Sequence, residues 1–119
     1  MTAVVVFACG ECGAVITVPL LPWRDGLCYE DGEAAVPRGH FALSDDDYRT
    51  GSTGQVLVNV DDVVGTSSHP DSRRSQGCCG LDGTEGPNLV CPSSHEVATA
   101  CTDCWMSHAA VLVPNVVRQ

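Results

Sequence analysis

Eight cysteines in a chain of 119 residues constrain its fold more than any other feature of the sequence. The apolar residues are mainly Ala and Val, whereas Phe and Trp occur twice each and the single isoleucine is Ile16. Small side chains bury little surface each, and at roughly 25 cal/mol per Å² of apolar surface such a core needs support to outweigh chain entropy. Short domains commonly obtain that support from a metal ion or from disulfides. We therefore expect a single domain over residues 1–119 that its cysteines stabilise.

The first pair of cysteines lies in a segment typical of a β-hairpin. Cys9 and Cys12 are separated by two residues and followed by Gly13, and β-branched or aromatic residues flank them on both sides. Such residues favour extended backbone, and glycine accepts the positive φ of a tight turn. Residues 3–19 are therefore predicted to form two strands joined by a tight turn, or knuckle, that presents both thiols to one metal ion.

A weaker copy of this knuckle is predicted in residues 89–98, where Cys91 stands in the place of Cys9. Ser94 stands in the place of the second cysteine, and serine is a poor zinc ligand, but His95 follows it directly. The spacing of this histidine from Cys91 is compatible with tetrahedral zinc. Two facing knuckles are how a zinc ribbon closes its metal site, so the sequence predicts a zinc-ribbon-like fold.

Two sets of four ligands are compatible with this arrangement, and the sequence does not choose between them. Both sets contain Cys9, Cys12 and Cys91, and the fourth ligand is either His95 or Cys104. Sites of this kind, rich in thiolates and without an open coordination position, are typical of structural zinc.

The remaining cysteines leave open whether one or two ions bind. Cys101 and Cys104 form another pair with two residues between them, whereas Cys78 and Cys79 are adjacent. Adjacent side chains diverge in extended backbone, so only one of that pair is expected to bind a given ion. Cys28 has no partner nearby and is expected to be either a buried or an exposed thiol that binds no metal. The candidate ligands of Zn²⁺ are Cys9, Cys12, Cys78, Cys79, Cys91, His95, Cys101 and Cys104.

The redox state expected of these thiols depends on the compartment. The N-terminal residues contain no basic segment, and their apolar run is too short for a signal peptide or a membrane span. We therefore expect a cytoplasmic protein. Reducing conditions there favour metal-bound thiolates over disulfides.

The charge of the chain argues against nucleic acid as a partner. Fifteen Asp and Glu residues outweigh six Arg, Lys is absent from the sequence, and the formal net charge is -9. Phosphate binding needs clustered Lys and Arg, but the only adjacent basic pair is Arg73-Arg74. We expect another protein as the partner, contacted by acidic loops around Trp23 and Tyr48, and neither nucleic acid nor a membrane.

Outside the cysteine motifs, the periodicity favours short strands. Strands are predicted over residues 40–43, over 55–60 with one strongly apolar face, and over 108–113, where a short helix capped by Thr102 is the alternative. Residues 65–77, rich in Ser, Asp and Arg, are predicted to form an exposed loop, and no long amphipathic helix is predicted. The expected fold is all-β or β-rich α+β, a zinc-ribbon-like small domain with long irregular loops. Its parts are the N-terminal hairpin (3–19), an irregular or β middle part (20–77) and a Cys-rich C-terminal part (78–119).

Closed sites rich in thiolates are usually structural, so the predicted role is that of a protein-interaction or accessory module. A zinc-dependent enzyme is a less favoured alternative, because it would need an open metal position near His95, beside Ser93 and Ser94. A thiol redox protein would use Cys9 and Cys12. Redox pairs usually lie at a helix N-terminus, however, and the β-branched residues around this pair do not favour one.

Five segments of the chain together resemble a group of uncharacterised small bacterial Cys-rich proteins. They are Phe7-Ala-Cys9-x₂-Cys12-Gly, Cys78-Cys79-Gly-Leu-Asp-Gly, Gly86-Pro-Asn-Leu-x-Cys91, Glu96-Val-Ala-Thr99 and Asp103-Cys104. The resemblance implies zinc binding and a shared fold, and it implies no particular reaction. Members typically carry Cys-x₂-Cys-Gly at the second knuckle, so Ser94-His95 is a departure that bears on the fourth ligand. Cys28 and Cys101 lie outside the shared pattern.

Overall fold

The computed structural model describes residues 4–119, and over that range the chain forms β-strands and no α-helix. Helical backbone is confined there to two short 3₁₀ turns, Val60–Asp62 and Ser72–Ser75. The side chains of Asn59 and Asp71 cap these turns by accepting hydrogen bonds from backbone N–H groups. Neither turn is long and apolar enough to cross a membrane. The expectation of a β-rich domain is confirmed.

Nine short strands are present in the part of the chain that the structure describes. Their bounds are β1 Phe7–Ala8, β2 Leu21–Pro22, β3 His40–Leu43, β4 Val56–Val58, β5 Ser67–Ser68, β6 Leu89–Val90, β7 Glu96–Cys101, β8 Ala109–Leu112 and β9 Val117–Arg118. Seven of them form one sheet in the order β2-β3-β4-β8-β7-β6-β5, in which only the β2–β3 pair is parallel. Strands β1 and β9 pair antiparallel beside it.

The central strands of the sheet are buried on both faces. Successive residues of a strand point to opposite faces, so β3, β4 and β8 each contribute to two hydrophobic clusters. The larger cluster, beneath the N-terminal hairpin, includes Phe7, Ile16, Leu20, Phe41, Val58, Val97 and Leu112. The smaller cluster, on the other face, contains Ala35, Val36, Ala42, Leu57, Ala109 and Val111, with Trp23 and Tyr48 partly buried against it. The segment predicted to have one apolar face therefore has a second buried face as well.

The predicted N-terminal hairpin, residues 3–19, is described from residue 4 onward. Its arms are joined by a hydrogen bond of 2.9 Å from Ile16 N–H to Phe7 O, and by a reciprocal pair of 2.8 Å between Val5 and Leu20. The second arm pairs through isolated bridges and does not form a continuous strand. This pairing holds the first knuckle above the larger cluster.

A second hairpin is formed by β6 and β7, and β7 is the longest of the described strands. Residues 65–77 are not only a loop, because Ser67–Ser68 pairs with β6 at the edge of the sheet. The two hairpins place one knuckle at residues 9–13 and the other at residues 91–95, where they face each other.

Candidate metal centres

Two groups of cysteine and histidine side chains lie close enough to hold a metal ion among the residues that the structure describes. Centre 1 consists of Cys9, Cys12, Cys91 and His95, and centre 2 of Cys78, Cys79 and Cys104. Within each group the donor atoms lie within 4.8 Å of one another. The chain therefore has the donors for metal binding at two places.

The first knuckle presents two of the thiols of centre 1. Cys9 N–H donates to Ala14 O at 2.9 Å, and Gly13 N–H donates to Cys9 O at 2.9 Å. Gly13 has a φ of 77°, which glycine adopts at little cost. Glu11 N–H lies 3.5 Å from Cys9 Sγ and donates to it. The turn thus directs its own backbone donors toward the sulfur that would carry a negative charge.

The second knuckle is one residue shorter than the first. Cys91 N–H donates to His95 O at 2.9 Å, and Ser94 N–H donates to Cys91 O at 2.9 Å. Ser94 has a φ of 69°, so it occupies the place of Gly13. The correspondence of Ser94 with Cys12, assumed from the sequence, is wrong. Because the second turn lacks one residue, its ligand comes from the position directly after the turn. The side chain of histidine is long enough to bring a donor atom to the metal site from that position.

The spacing of the donors in centre 1 fits tetrahedral zinc. Bond lengths of about 2.3 Å to sulfur and 2.0–2.1 Å to nitrogen place tetrahedral donors roughly 3.5–3.8 Å apart. The Sγ atoms of Cys12 and Cys91 are 3.6 Å apart. His95 Nδ1 lies 3.6 Å from Cys9 Sγ and 3.4 Å from Cys91 Sγ. Three thiolates and one imidazole are a common ligand set of structural Zn²⁺, so the residues present fit the ion.

Centre 1 has a dry side and a solvated side. Cys9 and Cys91 are 0% and 1% exposed, whereas Cys12 is exposed. Burial raises the pKa of the Cys9 thiol. The backbone N–H of Ala14, and after it the imidazole of His95, lower the pKa of Cys12 to about 6. The shift favours the thiolate of Cys12, which is the form that binds metal.

A carboxylate of the first knuckle faces the histidine of the second. Glu11 Oε2 lies 3.4 Å from His95 Nε2, the ring nitrogen directed away from the thiols. The neighbouring Cys12, followed by Cys91, raises the pKa of His95. A carboxylate on the outer nitrogen of a ligating histidine fixes the tautomer and the ring orientation. The sequence prediction missed Glu11, although its position between two cysteines of a knuckle was a usable signal.

Centre 2 lies where two turns meet around one buried carboxylate. Asp103 is 1% exposed. Its Oδ1 accepts hydrogen bonds from the backbone N–H groups of Cys79 and Cys104 at 3.0 and 2.7 Å. Its Oδ2 accepts from Cys78 N–H and Trp105 Nε1–H, both at 2.9 Å. These bonds, led by those from Cys79 and Cys78, hold the pKa of the Asp103 carboxyl well below its usual range.

All three thiols of centre 2 are exposed to solvent. The Sγ atoms of Cys79 and Cys104 are 2.8 Å apart, shorter than a tetrahedral edge and longer than the roughly 2.05 Å of a disulfide. Hydrogen bonding of the Cys79 thiol to Cys104, and after it to Cys78, raises the pKa of Cys79 to about 12. Cys78 and Cys79 both belong to this cluster, although only one of them was expected to bind a given ion. That prediction assumed extended backbone, in which adjacent side chains diverge, whereas residues 78–80 form a bend.

Cys101 belongs to neither centre of the described chain. It is the last residue of β7 and is 3% exposed, with Sγ 4.0 Å from both Arg49 Nη1 and Thr99 O. Burial raises the pKa of this thiol. The expected grouping of Cys101 with Cys104 is not present within residues 4–119, because Cys101 ends a strand whereas Cys104 lies in the following turn. The alternative that placed Cys104 beside Cys9 is not present there either, since Cys104 belongs to centre 2.

No protein-family model matches the chain, and no curated protein or solved structure is significantly similar to it. The resemblance to small bacterial Cys-rich proteins stays a prediction. The function is therefore inferred from the geometry of the two centres.

Proposed function

We propose that this protein is a small zinc-binding domain with a structural Zn²⁺ ion at centre 1, and that it serves as a protein-interaction or accessory module. The observation that carries the proposal is the tetrahedral spacing of four donors contributed by two separate hairpins. Cys12 and Cys91 are 79 positions apart in the sequence. An ion that joins such distant segments would contribute its binding free energy directly to folding.

The donor set supports zinc over other common ions. Calcium and magnesium take oxygen ligands, whereas thiolates together with an imidazole suit zinc. Two knuckles facing each other at the ends of two hairpins also support a zinc-ribbon-like site within the larger sheet. We place the protein in the cytoplasm, where reducing conditions would keep the thiols available for metal.

The geometry favours this role over the two alternatives drawn from the sequence. Four protein donors complete a tetrahedron at centre 1, which leaves no open position near His95 for a zinc-bound water. A redox pair of Cys9 and Cys12 would leave without a role the two further donors, Cys91 Sγ and His95 Nδ1, that lie against its sulfur atoms. Both residues are accounted for more simply as ligands of one ion.

The surface proposed for a partner protein includes the residues first expected and their exposed neighbours, since Tyr29 and Trp105 line one depression with Tyr48, and Leu43 lines another with Trp23. Trp23 and Tyr48 pack partly against the smaller cluster. More strongly exposed large side chains are Tyr29, Leu43 and Trp105, at 48%, 58% and 55%. We place the contacts of a partner on these residues, whose acidic surroundings would favour a basic partner.

The proposal is tested by metal content and by the response of the fold to a chelator. Native mass spectrometry of protein purified under reducing conditions should find Zn²⁺ bound. A strong chelator should abolish the near-ultraviolet circular dichroism and the dispersion of amide resonances, and added Zn²⁺ should restore both. Cys12→Ser should fail to fold, whereas Cys28→Ser, which removes a thiol outside both centres, should behave like the wild type. A metal-free protein that keeps its fold with every thiol free would contradict the proposal.

A further inference from the structure

Centre 2 is built in a way that packing does not explain. Free cysteines are among the most buried residues of proteins, yet Cys78, Cys79 and Cys104 are all exposed. They project from the surface as a cluster, and the group that holds them, the Asp103 carboxylate, is buried. Burying a carboxylate is costly, and here four hydrogen bonds offset that cost. The arrangement fixes the positions of three thiols that contribute nothing to the core.

A second set of hydrogen bonds ties the two turns of centre 2 together. Leu81 O accepts from the N–H groups of Thr102 and Asp103 at 2.8 and 3.0 Å, and Thr102 Oγ1 accepts from Leu81 N–H at 2.9 Å. Gly80 lies so close to the carbonyl group of Thr102 that a Cβ there would overlap it. The backbone on both sides of the thiols is therefore fixed before any ion arrives, which reduces the cost of binding one.

The donor set of centre 2 is incomplete for zinc. No fourth Cys, His, Asp or Glu atom of residues 4–119 joins the three thiols in the cluster. Asp103, the nearest carboxylate in sequence, uses both oxygens to accept hydrogen bonds. Protein zinc sites with three protein ligands complete their tetrahedron with an outside molecule, and such sites exchange that ligand.

We propose that centre 2 is a labile Zn²⁺ site, in which Cys78, Cys79 and Cys104 hold the ion at the surface and an outside ligand fills the fourth position. Binding displaces the three thiol protons to solvent. An incoming thiol gives up its proton and replaces the bound water, and neither the metal nor any sulfur changes oxidation state. Ligand exchange of this kind lets the ion pass between the protein and another thiol-bearing molecule. The inference rests on zinc binding by this chain but does not require centre 1 to be occupied.

Release kinetics test the site in the whole protein. Zinc-saturated protein is mixed with the chromogenic chelator 4-(2-pyridylazo)resorcinol in the presence of a phosphine reductant. We expect two Zn²⁺ ions per chain, one released at least about tenfold faster than the other. Cys79→Ser and Cys104→Ser should each lose the fast ion and keep the slow one. Cys28→Ser should keep both.

The open position is tested with Co²⁺ in place of Zn²⁺. Titration with 2-mercaptoethanol should increase the thiolate-to-cobalt charge-transfer absorption of the wild type and of Cys28→Ser, and should leave that of Cys104→Ser unchanged. Release of zinc in a slow phase only, or no response of the cobalt protein to thiol, would overturn the proposal. So would a Cys79–Cys104 disulfide in zinc-saturated, reduced protein. Loss of the slow phase with the fast phase retained would count against the structural role of centre 1 alone.

Discussion

Centres 1 and 2 obtain their geometry from opposite sources. The ligands of centre 1 come from two hairpins distant in sequence, and two of its thiols form part of the larger hydrophobic cluster. The ligands of centre 2 come from two short turns, are exposed, and are held by hydrogen bonds to Asp103. In the first case an ion would organise the chain, whereas in the second the chain already organises the donors.

This difference teaches that cysteine content alone does not tell what a bound metal does. If centre 1 holds the proposed ion, its binding free energy would be coupled to the folding of the whole sheet. At centre 2 hydrogen bonds to Asp103 hold the backbone, so the proposed ion would leave without unfolding the domain. Substitutions at the two centres should therefore affect different measurable quantities.

The largest expected effect comes from removing one ligand of centre 1. Cys91→Ser removes a buried sulfur ligand, and structural zinc binds with about 10–16 kcal/mol, comparable to or greater than the whole stability of a small domain. We expect this variant to be unfolded at 25 °C even with excess Zn²⁺. Cys79→Ser in centre 2 should remain folded, and should lose only the stabilisation that Zn²⁺ binding at centre 2 supplies by mass action, about 2.7 kcal/mol at a free Zn²⁺ concentration 100 times the Kd of that site.

Both variants are compared by far-ultraviolet circular dichroism and denaturant titration at fixed zinc concentration. Equal destabilisation of Cys91→Ser and Cys79→Ser would remove the distinction between the two centres. A folded Cys91→Ser protein would show that the larger hydrophobic cluster is sufficient for folding without the ion.

A smaller effect is expected when the support of centre 2 is weakened. Asp103→Asn keeps one oxygen as a hydrogen-bond acceptor. Its amide nitrogen replaces the other oxygen and cannot accept the two N–H hydrogen bonds made there. Substitutions of groups that orient metal ligands typically cost 10–100-fold in affinity, and we expect a loss of that order for Zn²⁺ at centre 2. Chelator competition should show the slow ion of centre 1 unaffected. Equal weakening of both ions would mean that Asp103 supports only the overall fold.

Local patterns in the sequence predicted much of centre 1. The first knuckle is a local structure, set by the spacing of Cys9 and Cys12 and by the β-branched residues on either side. The structure places it, as predicted, at the end of a hairpin. The three partners of Cys9 in the first ligand set also lie beside it. The place of Ser94 was misread because equal loop lengths were assumed. Only the hydrogen bonds of the turn reveal that one residue is missing.

Centre 2 was less predictable because it depends on contacts across the fold. Cys101 and Cys104 have the spacing of a metal pair, but the end of a strand separates them. Asp103 lies among many aspartates in a chain of net charge -9, and nothing in its sequence neighbourhood distinguishes a buried acceptor of four hydrogen bonds from a solvated side chain. The grouping of Cys78 with Cys79 required a bend that the extended-chain argument did not allow.

A still smaller effect is expected from Glu11, which contacts a ligand of centre 1 but would not itself bind the ion. Glu11→Gln removes the charge that faces His95 Nε2 at 3.4 Å while leaving an oxygen able to accept the ring N–H. Because this side chain is exposed and a hydrogen bond can remain, we expect at most about a tenfold loss of Zn²⁺ affinity. The measurement is chelator competition on the slow ion. Glu30→Gln, at an exposed carboxylate outside both centres, should change nothing, and equal losses in the two variants would assign the effect to net charge.

The smallest effect concerns the difference between the two knuckles. Ser94 occupies the left-handed region that Gly13 occupies in the first knuckle, a conformation that costs an L-residue roughly 1–2 kcal/mol. Glycine relieves that cost but loses about 0.5–1 kcal/mol through its greater freedom in the unfolded chain, so Ser94→Gly should stabilise the zinc-saturated protein by about 0.5 kcal/mol. Ser93→Gly, at a neighbouring position without positive φ, should destabilise it by a similar amount. Denaturant titration at saturating Zn²⁺ measures both. Stability changes of the same sign in the two variants would mean that the backbone at Ser94 is not strained. The shorter turn would then serve only to bring the imidazole of His95 to the metal site.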